Sequence, residues 1–238
     1  RSDRDWSSDV CSSDLYGDFG SRKYLIASCD QSLKRMGLEY VDIFYHHRYD
    51  PETPIEESMG ALDAIVRSGK ALYAGISNYP PEKAAEAFRI LRELGTPVVL
   101  HQVRFNMLDR GHEDSGNFRL LEQEGVGGIV FSPLAQGLLT NRYLGGIPED
   151  SRVARNGFLK KEALKPELLA KIAKLNELAV ARGETLAEMA INWVLSRPGV
   201  TSALIGASRP AQIRDVVAGL AKGTLSAEEQ AKVDAVLA

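Results

Sequence analysis

The chain has 238 residues, 44% hydrophobic and 26% charged, with a formal net charge of −3. These are ordinary globular values, and the near-neutral balance argues against a nucleic-acid-binding face, which needs clustered basic charge. No apolar run approaches the roughly 18 residues that would span a bilayer, so the composition predicts neither a nucleic-acid nor a membrane partner.

Residues 1–15, RSDRDWSSDVCSSDL, show no helical or strand period and a dense run of Ser and Asp. They read as a non-native segment, similar to translated sequencing adapter fused to an open reading frame. A signal peptide would need an apolar core that they lack. Without them Cys29 is the remaining cysteine, the net charge becomes −1, and residues 16–238 suit one α/β domain. A single thiol permits no internal disulfide and fits a reducing cytoplasm.

Leu25, Ile26, Cys29, Leu33 and Met36 share one face of a helix predicted over residues 22–36 and ended by Gly37. Cys29 is then expected to be a buried structural thiol. Val41 to Tyr45 reads as a strand. Pro54 opens a helix to about Ser68, with Thr53 as its N-cap. Ala71 to Ile76 is the next strand, Pro81 to Leu94 a helix stopped by Gly95, and Pro97 to Gln102 an apolar strand of the kind buried in parallel sheets. Gly127 to Phe131 is a strand. A long connection runs from Ala135 to about Leu164. Helices follow over roughly 165–182 and 185–196, a strand over Val200 to Ile205, and helices over Pro210 to Leu220 and Ala227 to Val236. Five strands with helices between them imply a parallel sheet with helices packed outside. The pattern fits both a doubly wound sheet and a TIM barrel. No GxGxxG follows any strand, which weakens the doubly wound dinucleotide reading.

Polar residues cluster just after strand C-terminal ends, where barrel enzymes place their sites. His46-His47-Arg48 follows the first strand, and either histidine could orient or protonate a carbonyl oxygen. Gly75-Ile76-Ser77-Asn78 ends the second strand and Gln102 the third. Their side chains can hydrogen-bond a carboxamide, though a plain Ser-Asn turn would look the same. Phe131-Ser132-Pro133-Leu134-Ala135-Gln136-Gly137 follows the fourth strand, and its small residues allow close backbone approach to a ligand. Arg142 and Arg152 lie in the long connection and can pair with phosphates. Gly206-Ala207-Ser208-Arg209-Pro210-Ala211-Gln212 enters a helix whose N-terminus could take an anion, or is simply capped by Ser.

The phrase QSLKRMGLEYVDIFYHHR and the ordered GISN, strand-end Gln and SPLAQGLL segments resemble the aldo-keto reductase family. The likeness runs from about Gly17 to the C-terminus. Within the family it points to the branch that holds bacterial L-glyceraldehyde 3-phosphate reductases and potassium-channel β-subunits. The resemblance implies a (β/α)8 TIM barrel that binds NADP(H) and reduces small aldehydes or ketones, such as glyceraldehyde 3-phosphate or methylglyoxal. In the family the histidine precedes Arg in an IFYxHR-like pattern, which selects His47 as catalytic. The implied cofactor contacts are Ser77, Asn78, Gln102, Phe131, Ser132, Leu134, Gln136, Gly137, Arg142, Arg152, Gly206, Ser208, Arg209, Gln212 and Asp215, with no metal. Asp215 stands where the branch usually has Glu, and Val216 where it has Asn.

The family's mechanism also uses a Tyr proton donor and a Lys held by an Asp. The segments that carry them have no match here. Tyr16-Gly17 superficially resembles the Tyr motif, but it directly precedes residues that match the loop after the third barrel strand, and Lys23 opens a helix. The expectation is therefore a partial barrel, strands four to eight, catalytically incomplete by itself. The alternative is a non-catalytic, nicotinamide-binding regulatory subunit. A homo-oligomer is compatible with either.

Overall fold

Helices and strands alternate along the chain as the hydrophobic periods predict. The computed structural model describes residues 20–144, 146 and 164–238. In order these form α1 (Arg22–Met36), β1 (Val41–His46), α2 (Ile55–Arg67), β2 (Ala71–Ser77), α3 (Pro81–Leu94), β3 (Val98–Arg104), α4 (Gly111–Asp114), α5 (Asn117–Glu124), β4 (Gly127–Phe131), α6 (Pro166–Ala181), α7 (Leu186–Leu195), β5 (Val200–Leu204), α8 (Pro210–Gly219) and α9 (Ala227–Leu237). The sheet order is β1-β2-β3-β4-β5, and β1–β2 and β2–β3 pair in parallel. Strands that keep sequence order with helices between them form a barrel wall. A doubly wound sheet reverses its order at a switch point. The five-stranded sheet is thus that of a partial α/β barrel.

The chain divides into two compact units. In the first, residues 20–103 and 115–128, α1 starts where the Ser21 hydroxyl accepts from the Tyr24 N–H (3.3 Å) and stops at Gly37, whose φ of 68° is left-handed. Its inner face meets α2 and the strands in a cluster of Tyr24, Leu25, Cys29, Leu33, Ala61, Ile65 and Ala71. Each large apolar side chain fully buried there contributes about 1.5–3 kcal/mol. Cys29 lies in this cluster as expected.

Two expectations are corrected here. Met36 is 53% exposed, because the helix turns away at Gly37 and the apolar face ends at Leu33. Thr53 is not the N-cap of α2. Pro54 holds that position, and its carbonyl accepts the Glu57 N–H at 2.9 Å. The Thr53 hydroxyl donates instead to Asp50 Oδ2 at 2.8 Å. The span between β3 and β4, for which the sequence reading gave no element, holds α4 and α5. Left-handed Gly116 and Gly125 bound α5, which buries Asn117, Phe118 and Leu121.

The second unit comprises residues 104–114 and 129–238. Its core centres on Trp193, fully buried and stacked on Phe105 at 5.4 Å. The guanidinium groups of Arg110 and Arg197 lie over the indole at 4.7 and 5.0 Å. Arg110 pairs with Asp234 on α9 (2.7 Å) and Arg197 with Glu113 on α4 (2.6 Å). Capping boxes start α7 at Thr185 and α9 at Ser226.

Candidate functional site

In the first unit, the parallel register places His46 opposite Ile76 and Ser77 opposite Gln102. The C-terminal ends of β1, β2 and β3 therefore lie side by side. Because side chains alternate across a strand, the two neighbouring histidines have different surroundings. His46 is buried, and its Nδ1 lies 2.6 Å from the Tyr79 hydroxyl. His47 is half-buried, and its carbonyl accepts from Asn78 Nδ2 at 3.1 Å. The same amide donates to the Ser77 hydroxyl at 3.0 Å. The Asn78 backbone N–H donates to the Gln102 carbonyl at 2.9 Å. Four of the sequence-predicted residues, His47, Ser77, Asn78 and Gln102, are thus brought together. Asn78 is the hinge among them, with a left-handed φ of 54°.

The second unit holds the segment after β4. Ser132, Ala135 and Gln136 have φ of 56°, 46° and 59°, and Gly137 follows at 99°. Tight local bonds hold the turn. The Ala135 N–H donates to the Ser132 carbonyl (2.9 Å), and the Gly137 N–H donates to the Leu134 carbonyl (2.8 Å). Phe131 closes β4, its carbonyl accepting from the Phe105 N–H at 3.3 Å. Arg142 sits in a short 3-10 turn, half-buried, where its N–H donates to the Thr140 hydroxyl at 3.2 Å.

At the start of α8, the Gln212 side-chain carbonyl accepts from the N–H groups of Ser208 (2.8 Å) and Arg209 (3.1 Å) and lies 3.2 Å from the Ser208 hydroxyl. Ser208, Arg209 and Gln212 therefore form one local group at a helix N-terminus. Gly206 is exposed, with open space where a side chain would stand, and Asp215 is exposed one turn further along the helix. Arg152, Tyr16 and residues 1–15 lie outside the described residues.

One backbone feature recurs in the predicted segments of each unit. Among the described residues, four other than glycine have left-handed φ: Asn78, Ser132, Ala135 and Gln136. All four lie in the two segments that the sequence singled out after β2 and β4. Each such residue costs on the order of 1–3 kcal/mol and persists where its surroundings over-determine it, as at ligand sites.

The profile of the Aldo/keto reductase family matches residues 16–238. The chain belongs to the aldo/keto reductase family. It is 51% identical over 224 residues to the L-glyceraldehyde 3-phosphate reductase of Escherichia coli (strain K12), covering 92% of the chain and 64% of that protein. It is 37% identical over 200 residues to an Arabidopsis thaliana protein named "Probable voltage-gated potassium channel subunit beta", covering 82% of the chain and 61% of that protein. The chain thus spans under two thirds of the length of these relatives. No helix among the described residues is long and apolar enough to cross a membrane.

Several residues that build the site escaped the sequence reading. Tyr79 and His101 are buried and hold the turn after β2. Buried Asn106 donates from Nδ2 to the Ser132 carbonyl (3.0 Å) and accepts the Leu108 N–H (2.9 Å). Asn117 donates from Nδ2 to the Tyr79 carbonyl at 3.1 Å. A buried Asn has one signal in sequence, a lone amide inside an apolar stretch, and that signal does not say whom it serves.

Proposed function

We propose that the longer protein to which these residues correspond reduces small aldehydes, such as glyceraldehyde 3-phosphate or methylglyoxal, with NADPH in the cytoplasm. The observation that carries the reading is the meeting of His47, Ser77, Asn78 and Gln102 at three adjacent strand ends, with Asn78 in a left-handed turn. When bound, the reduced nicotinamide supplies the hydride. Asn78, Ser77 and Gln102 offer the donors and acceptors that hold and orient a carboxamide. The half-buried His47 imidazole offers a hydrogen bond to the carbonyl oxygen of the substrate, orienting it and favouring negative charge there.

In the second unit, the backbone of Ser132, Leu134, Gln136 and Gly137, with the ring of Phe131, supplies a close-approach surface. Ser208, Arg209 and Gln212 at the α8 N-terminus, with Gly206, suit a terminal phosphate. Arg142 and Arg152 suit the pyrophosphate, and Asp215 the adenosine. The proton donor is assigned to no residue of these 238. The reading therefore holds that the 238-residue chain binds NADPH but does not turn over aldehyde, while the longer protein does both.

Titration of NADPH fluorescence against the chain, alongside NADPH oxidation by the longer protein with glyceraldehyde 3-phosphate, tests it. Binding by both with turnover by the longer protein is the expected result. No binding by either refutes the reading. Binding without turnover by the longer protein favours a regulatory nicotinamide-binding subunit, the reading that the channel-subunit relative supports.

A further inference from the structure

Tyr79 follows the strained Asn78 directly, and every polar group of Tyr79 is engaged. Its hydroxyl lies 2.6 Å from His46 Nδ1 at the end of β1. Its N–H donates to His101 Nε2 in β3 at 3.2 Å. Its carbonyl accepts from Asn117 Nδ2 at the start of α5, at 3.1 Å. The ring is fully buried and meets Tyr49 edge-on at 5.6 Å. Because Nε2 of His101 accepts a backbone N–H, that ring is neutral with its proton on Nδ1. Burial, with Tyr49 and Asp50 nearby, holds the Tyr79 phenol above its ordinary range. The phenol therefore stays protonated, and it shares one hydrogen bond with His46 Nδ1.

We propose that Tyr79 is a positioning residue: pinned by His46, His101 and Asn117, it holds Asn78 in its left-handed turn and so aims the Asn78 amide at a nicotinamide. The inference rests on the reading that Asn78 contacts the carboxamide of the cofactor. Asn78 itself is half-buried, bonded through its N–H to the Gln102 carbonyl and through its side chain to Ser77 and the His47 carbonyl; Tyr79 adds the buried anchors. Tyr79→Phe removes only the hydroxyl and keeps the packing. Without the tie to His46 the turn loosens, and the amide loses its aim without any change at the residues after β5.

The test uses the 238-residue chain and two probes, NADP+ and adenosine 2′,5′-bisphosphate, which lacks the nicotinamide. Tyr79→Phe should weaken NADP+ about three- to tenfold, the worth of one hydrogen bond, and leave adenosine 2′,5′-bisphosphate unchanged. In a double-mutant cycle with Asn78→Ala, the Tyr79 effect should vanish once Asn78 is gone. His46→Leu, which removes the same bond from its other end, should give the same probe-selective loss. A loss shared by both probes, or additivity with Asn78→Ala, overturns the positioning role alone. Equal wild-type affinity for the two probes overturns the nicotinamide reading and the inference with it.

Discussion

Asn192 offers a stability test whose magnitude follows from its surroundings. The residue is 1% exposed on α7. Its Nδ2 donates to Glu184 Oε1 (2.9 Å) and to the Gly219 carbonyl at the end of α8 (3.1 Å). The Glu184 side chain is fully buried and pairs with Arg182 at 2.8 Å. Asn192→Ala deletes both donors and leaves a buried carboxylate oxygen short of a partner, a loss of about 1–3 kcal/mol. Asn192→Asp has nearly the same shape but sets a second carboxylate against the first. Uncompensated buried charge raises the cost to about 3–5 kcal/mol. The Asp variant should thus be less stable than the Ala variant by about 2 kcal/mol at pH 7, read from urea unfolding with both m-values compared. The pH dependence has a definite sign. Repulsion and burial raise the folded-state pKa of the introduced carboxyl above its unfolded value, so the folded state binds the extra proton first. Stability then increases as pH falls, and the gap to the Ala variant should narrow between pH 7 and pH 5. Equal stability of the two variants at pH 7, or a gap that widens on acidification, would refute the buried contact between Glu184 and Asn192. Both variants loosen Gly219 and with it α8, so adenosine 2′,5′-bisphosphate binding at its other end should weaken in parallel.

Other expectations follow from single residues. Asn78→Gly relieves the left-handed backbone and Asn78→Ala does not, so the Gly variant should be the more stable by about 1 kcal/mol in thermal unfolding, while both lose NADP+ affinity; a Gly variant that binds like wild type would show that the amide is unused. Burial first, then Asp30, pushes the Cys29 thiol up to about 11, partly offset by Lys70. Iodoacetamide at pH 8 should therefore label Cys29 at least a hundredfold more slowly in the native chain than in urea, as read by peptide mass spectrometry. Leu33→Ala should cost about 2–5 kcal/mol, whereas Met36→Gln, at an exposed helix end, should fall within about 0.5 kcal/mol of wild type; equal effects would place Met36 back on the buried face.

Strand and helix boundaries fell where period, proline and glycine put them, because those signals are local. Pro81 and Gly95 bracket α3 as read, and five strands appear where five were counted. What the sequence left hidden depends on groups that are distant along the chain. Thr53 looks like an N-cap until Asp50 takes its hydroxyl. Met36 fits the helical stripe, but a stripe does not say where its neighbour ends. The eight residues of α5 are too few for a clear period, and their buried Asn117 reads as polar loop. The same holds at the candidate site. Its residues could be named from motifs, yet the motif GISN does not reveal that Asn78 is left-handed. Nor does it reveal that Tyr79 is tied to His46 and His101, 33 and 22 positions away.

These hidden ties also explain why the strained turns survive. Four non-glycine residues in left-handed conformations would cost several kcal/mol together, a sizeable part of the 5–15 kcal/mol that stabilises a domain. Each segment has a buried anchor from another element. In the first unit, Asn117 and His101 hold the backbone of Tyr79 beside Asn78. In the second unit, Asn106 holds the Ser132 carbonyl. A turn serving only to join a strand to a helix could place glycine at these positions and dispense with the anchors. Side chains in left-handed backbone, each backed by a dedicated buried amide or ring, are the arrangement expected where the direction of the side chain and backbone matters more than the cost of holding it.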